Sequence, residues 1–235
     1  MSIHHFVLLP GLDGTGQLFT PFLKQLPPGL TASFVAYPRD IKLSYEQLKA
    51  QAFSALPATD PYVLIAESFS GPIAIEIAAE HPHNLKALVL CASFVSNPAP
   101  PVLQWIQFFN HPFWFRFRLP HSFVRYAAAM WDCEATVIHE LIEQSKSVQP
   151  EVLADRFSQV MRVNVQAQLQ RCLVPLLYLR AKRDLLVQAR NWKEIVRLYP
   201  QASYAEIDAS HFVLQHRPTE SLQAILTFLA ANFAR

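Results

Sequence analysis

Glycine is scarce in this chain of 235 residues: it stands only at positions 11, 14, 16, 29 and 71, and three of the five share one loop. Such sparing use excludes a glycine-rich repeat or linker and makes each glycine a sign of a specific backbone need. Cysteine is scarcer still. Cys91, Cys133 and Cys172 are odd in number, far apart and without a C-x-x-C pair, so neither a disulfide framework nor a zinc site is indicated and reduced, mostly buried thiols are expected. Excess charge is also missing, with 20 basic against 18 acidic residues and a net charge of +2. No global field attracts nucleic acid, and small-molecule partners are expected instead. No apolar run approaches the roughly 18 residues of a membrane-spanning helix, and no basic-then-apolar leader precedes the first strand. The expectation is a cytoplasmic protein with no transmembrane segment, no metal and no cofactor.

What the chain does have is an apolar strand that turns through one serine straight into a helix: Val63-Leu64-Ile65-Ala66-Glu67-Ser68-Phe69-Ser70-Gly71, then Pro72-Ile73-Ala74-Ile75. So tight a turn requires small residues two positions before and two after the serine, here Ala66 and Ser70. The turn lifts the Ser68 hydroxyl to the end of a sheet. It also presents the Phe69 N–H at a helix N-terminus, where it can donate to an anionic oxygen. An N-cap serine is the plainer reading of such a junction; the glycine distribution favours a nucleophile.

The glycine cluster follows the first apolar run, His5-Phe6-Val7-Leu8-Leu9, and reads Pro10-Gly11-Leu12-Asp13-Gly14-Thr15-Gly16. Glycine lets backbone approach a ligand and turn its N–H groups inward, as an oxyanion hole requires. A phosphate loop is the rival reading, but neither the Walker spacing nor G-x-G-x-x-G is present.

A nucleophilic serine needs a base, and the base an orienting acid. His211 lies in the loop after the strand Ala202–Ile207, and Asp184 in the loop after the buried run Val174–Arg180. Asp208, three residues before His211, is a weaker alternative acid and reads as a turn former. Glu67 is expected to point away or to cap the following helix. His81 and His83 read as partners of a helix C-terminus, and His4 and His5 as structural.

Ser68, Asp184 and His211, in that order and each just past a strand end, make the chain resemble the α/β-hydrolase superfamily, in its serine esterase, thioesterase and acyltransferase branch. The elbow Ala66–Gly71, the loop Pro10-Gly11-Leu12, the segment Arg183–Val187 and Ser210-His211-Phe212 carry the likeness, which covers residues 1–95 and 172–235. The family's common His-Gly is Pro10-Gly11 here, and the glycines around the nucleophile are shifted. The resemblance implies a Ser68, Asp184, His211 triad, with the Leu12 and Phe69 backbone N–H groups as oxyanion donors.

Strands are expected near 5–9, 32–37, 62–66, 86–91, 174–180 and 202–207, alternating with helices near 17–26, 44–56, 70–80, 190–199 and 219–233. Short apolar strands alternating with helices predict an α/β fold, a mostly parallel sheet flanked by helices. Ser44 and Gln47 form a capping-box signature. Residues 96–171 break the alternation and are expected to be a helical cap inserted into the core, with helical patterns near 121–131, 135–147 and 150–171. Phe94, Trp105, Phe109, Phe113, Trp114 and Phe117 belong to an aromatic concentration at its start. These side chains fill the cap's own core or line an acyl site, and both readings hold together if that core faces Ser68. Arg116, Arg118 and Arg125 read as a solvated face, or as contacts to an acyl carrier, an anionic headgroup or an acidic membrane surface.

The function expected is that of a serine hydrolase that cleaves a carboxylic ester or thioester of a hydrophobic acyl group. Two alternatives stand beside it: an acyltransferase with the same residues, and a catalytically silent binding module of the same fold.

Overall fold

The run Tyr62–Glu67 is buried at every position and forms a central strand, β3, flanked by His5–Leu9 (β1) and Leu85–Cys91 (β4). Thr31–Phe34 (β2), Leu176–Ala181 (β5) and Ser203–Ile207 (β6) complete a six-stranded sheet of order β2-β1-β3-β4-β5-β6, parallel throughout. These coordinates are a computed structural model that describes residues 3–99, 112 and 135–233. Helices cover both faces of the sheet, which is why the strands read as continuous apolar runs. Val7, Leu9, Leu64 and Leu88 pack on one face with Ile73 and Ile77; Phe6, Leu8, Val63 and Val89 pack on the other with Phe22, Ile225 and Phe228.

The core helices are Thr20–Leu23 (α1), Tyr45–Ser54 (α2) and Gly71–Ala78 (α3) in the first half. Ser44 and Gln47 cap α2 reciprocally, as their spacing predicts. Between β4 and β5 come Ala135–Lys146 (α4), Pro150–Val160 (α5) and Gln166–Arg171 (α6). Ala189–Leu198 (α7), Val213–His216 (α8) and Pro218–Phe233 (α9) finish the chain. Two expected helices differ. The segment near 17–26 is a 3₁₀ turn at Gln17–Phe19 followed by the single turn of α1. The pattern near 150–171 is two helices, because Asn164 forms an antiparallel bridge with Ser96 and the Val165 N–H donates to the Val95 carbonyl at 2.8 Å. Backbone groups used in that way cannot continue a helical ladder.

From β1 the chain first crosses to β2 on one side and then to β3 on the other. The connections leaving β1 and β3 therefore part in opposite directions and open a crevice at the strands' carboxyl ends, the usual ligand position in such sheets. Leu9 and Ala66 are register partners, so the glycine loop and the serine turn begin side by side.

Candidate active site

Ser68 follows the last residue of β3 with φ of 47°, in the left-handed region. For a non-glycine residue this costs about 1–3 kcal/mol and persists only where the surroundings enforce it. Ser93 enforces it: its Oγ donates to the Ser68 carbonyl at 2.6 Å, and the Ser93 carbonyl in turn accepts from the Tyr178 hydroxyl at 2.8 Å. The turn packs on Ser93 so closely that a Cβ at position 71 would lie 1.7 Å from Ser93 Oγ. The glycine this elbow needs is therefore Gly71.

Ser70 tolerates a side chain because the hydroxyl has a task. It donates to the Pro10 carbonyl, joining the serine turn to the glycine loop. With that proton committed, the Tyr37 hydroxyl 2.8 Å away is the donor to Ser70 Oγ. Burial pushes the Tyr37 phenol well above its ordinary value, which keeps the donating proton in place. Phe69 is buried behind the turn, stacked on Tyr45 with ring centroids 4.8 Å apart.

Ser68, His211 and Asp184 come together at the sheet's carboxyl edge. Ser68 Oγ lies 2.9 Å from His211 Nε2, and His211 Nδ1 lies 2.7 Å from Asp184 Oδ2. A carboxylate only accepts, so the Nδ1 proton points to Asp184 and leaves Nε2 of the neutral ring to accept the serine proton. The other carboxylate oxygen, Oδ1, accepts the Leu186 and Val187 N–H groups, each at 2.8 Å. Those bonds hold the carboxylate plane and with it the imidazole. Burial alone pulls the His211 pKa down, but the Asp184 charge and hydrogen bond, helped by Glu67, outweigh it and raise it above 6.5. A shallow recess beside the ring is lined by Arg183, Leu185, Leu186, Ser210 and Phe212.

The glycine loop curls on itself through a hydrogen bond from Gly14 N–H to the Gly11 carbonyl at 3.1 Å. Asp13 Oδ2 accepts from the Thr15 N–H at 2.8 Å and the Thr15 hydroxyl at 2.5 Å. Gly14, with φ of 72°, supplies the conformation the curl requires. Gly11 does not, since a Cβ there would meet only Asp13 Oδ1, at 3.8 Å. Among the described residues the Leu12 N–H has no hydrogen-bond acceptor.

Glu67 departs from expectation. It does not cap the following helix; it is buried and accepts from Gln215 Nε2 at 3.0 Å. β3 is covered on both faces, so its last residue is buried with the rest, and burial pushes the Glu67 pKa to about 7. Asp208 is surface-exposed and ion-paired with Arg183 at 2.9 Å, not with His211. His5 bonds to the Thr31 and Ser33 hydroxyls, a structural role, and His81 Nε2 lies 2.7 Å from the Arg171 carbonyl rather than at its own helix end. Trp105, Phe109, Phe113, Trp114, Phe117 and the three cap arginines lie outside the described residues, as does Cys133. Cys91 and Cys172 are buried free thiols whose pKa values burial raises. Among the described residues no group of three His, Cys, Asp or Glu is placed to hold a metal ion, and no helix is long and apolar enough to cross a membrane.

Sequence reasoning missed Tyr37, Ser93, Arg156 and Gln215. Only Ser93 carried a local signal, standing just past β4 as Ser68 stands past β3.

Residues 26–210 match the model of a family described as serine aminopeptidase, S33. No curated protein sequence matches significantly. Among solved structures, the enol-lactonase from Burkholderia xenovorans LB400 superposes with a TM-score of 0.79 at 16% identity, covering 98% of this chain and 92% of that one. MenH from S. aureus gives 0.77 at 15% identity, over 98% and 95%. Est816, an N-acyl homoserine lactone degrading enzyme, gives 0.74 at 16% identity, over 97% and 93%. At these identities the superpositions speak for the fold.

Proposed function

The chain belongs to the serine aminopeptidase, S33, family of α/β hydrolases, and from that premise we propose that it cleaves a carboxylic ester or thioester of a hydrophobic acyl group through an acyl-enzyme on Ser68. The observation that carries the reading is the unbroken relay of 2.9 Å from Ser68 to His211 and 2.7 Å from His211 to Asp184. His211 takes the serine proton as Oγ bonds to the acyl carbon. The oxyanion formed there is met by the Leu12 and Phe69 N–H groups. Collapse breaks the bond to the alkoxide or thiolate, which leaves with the proton from His211. Water then repeats the sequence, giving its proton to His211 and releasing the acid from Ser68.

Leu185 and Leu186, about half exposed in the loop that carries Asp184, support a hydrophobic group on one side of the scissile bond. Residues 96–171 are read as a cap inserted into the core, and of its described part α4 packs Ile138 on Phe212, next to His211. An acyltransferase would use the same groups with an alcohol in place of water. A silent binding module would have no use for a strained serine aligned on a buried imidazole.

Ser68→Ala should abolish turnover of p-nitrophenyl esters and remove labelling by a fluorophosphonate probe, with the melting temperature preserved. The mass shift of labelled wild type should map to Ser68. Equal turnover by the alanine variant overturns the reading.

A further inference from the structure

Arg156 belongs to α5, yet its side chain ends against the loop after β1. It is 3% exposed. Nη1 donates to the carbonyl oxygens of Leu12 at 3.0 Å and Asp13 at 2.7 Å, and Nη2 donates to the Pro38 carbonyl at 2.8 Å. The guanidinium carbon stands 5.7 Å from the centre of the Tyr37 ring. Gly14 makes room for it: a Cβ at that position would lie 2.4 Å from Nη1. Burial works against the guanidinium charge, the nearby Asp13 and Asp155 charges offset it only in part, and packing alone would be served as well by an apolar side chain. The planar fork suits the task its hydrogen bonds describe, which is to hold three backbone carbonyls in fixed relation.

Those carbonyls frame the peptide that matters. The Leu12 N–H belongs to the peptide joining Gly11 to Leu12. On that peptide's opposite edge the Gly11 carbonyl accepts from Gly14, which aims the Leu12 N–H the other way. The preceding peptide is held through the Pro10 carbonyl by Ser70, and the two following peptides through Leu12 and Asp13 by Arg156. Ser70 ties the loop to the serine turn from within the core. Arg156 ties it from a helix lying between β4 and β5.

We propose that Arg156 is a positioning residue for the oxyanion hole, through which the seating of α5 on the core sets the direction of the Leu12 N–H. The inference rests on the Ser68 reading above. Its consequence is confined to the barrier: the hole meets charge that exists only after attack, so loss of aim lowers kcat and leaves KM nearly unchanged.

Two variants test it. Arg156→Lys keeps a charge but offers a point donor in place of a fork, and Arg156→Met keeps the stem alone. Each is assayed by thermal melting, by kcat and KM on p-nitrophenyl acetate, by fluorophosphonate labelling rate, and by affinity for butylboronic acid, whose tetrahedral adduct on Ser68 puts oxygen in the hole. Expected are folded variants with kcat lowered by about 10²-fold, the magnitude of a lost oxyanion donor, and KM within about threefold. Labelling rate and boronate affinity should fall in parallel, and added guanidinium should restore part of kcat to Arg156→Met. Wild-type labelling at Ser68 combined with undiminished kcat in folded variants, with a loss in KM alone, or with variants that show no cooperative melt, overturns this assignment and leaves Arg156 an anchor of α5. Absence of wild-type labelling at Ser68 overturns the parent reading as well.

Discussion

His211 and Glu67 are both buried, feel each other's charge and respond to burial in opposite directions. The imidazole, raised above 6.5 by Asp184 against the pull of burial, stays protonated to a higher pH than a free histidine. A general base must be neutral, so the acid limb of kcat/KM for p-nitrophenyl acetate should lie above pH 6.5; a limb below it would mean that the Asp184 contact is not maintained in solution. Asp184→Asn should cost on the order of 10⁴ in rate by favouring the wrong tautomer, whereas Asp208→Asn, removing only a surface pair, should cost little. For Glu67 the sign runs through the proton. Its carboxyl, held near pH 7 by burial, binds a proton more tightly folded than unfolded. Its contribution to stability is therefore complete below the ordinary carboxylate range and lost as pH rises through about 7. Glu67→Gln cannot titrate. Urea unfolding at about pH 4 and about pH 8 should show the stability difference moving in the variant's favour by on the order of 3 kcal/mol. A pH-independent difference would mean that Glu67 does not change charge in that window.

Among the elements, the serine turn shows why its glycine signature is displaced. Turns of this kind need room wherever a neighbouring strand end comes closest, and here that is Gly71 against Ser93, whereas the Ser70 side chain has space to reach the Pro10 carbonyl. Gly71→Ala should destabilise by about 1–3 kcal/mol through overpacking and lower activity with it. Ser93→Gly in the same chain should recover much of the stability but not the activity, since the Ser68 carbonyl loses its donor. Full recovery of both by the double variant would show that Ser93 is only an obstacle. The segment 150–171 teaches a related lesson. Val152, Leu153, Val160, Val163, Val165 and Leu169 are all buried, as the apolar spacing predicts. The helix nevertheless breaks, because burial is read from side-chain period while continuity depends on where the backbone bonds go, and Ser96, the bridge partner of Asn164, lies outside the segment's own sequence.

For the molecule as a whole, the strand order puts the loops after β1 and β3 at the switch point, and the loops carrying Asp184 and His211 come to the same edge from β5 and β6. In the proposed reaction the acyl group is taken up at this edge of the sheet. If the crevice there is apolar, kcat/KM should rise from acetyl toward medium-length p-nitrophenyl esters, each buried methylene contributing about 0.8 kcal/mol. A flat series would remove the hydrophobic acyl group from the proposal while leaving the ester chemistry intact.

The strands, the alternation with helices, the α2 cap and the placement of Ser68, Asp184 and His211 at strand ends were all legible in the chain. Each depends on local period or turn chemistry within a few residues. The tertiary structure alone decided that Ser70 is a tie to Pro10, that Ser93 braces the turn, that Glu67 is buried on Gln215, and that Arg156 reaches the glycine loop. Those pairs stand 60, 25, 148 and 144 residues apart. A hydrogen bond between such distant partners leaves no periodic trace in sequence, because its geometry is created only when the sheet brings separate strand ends to one edge.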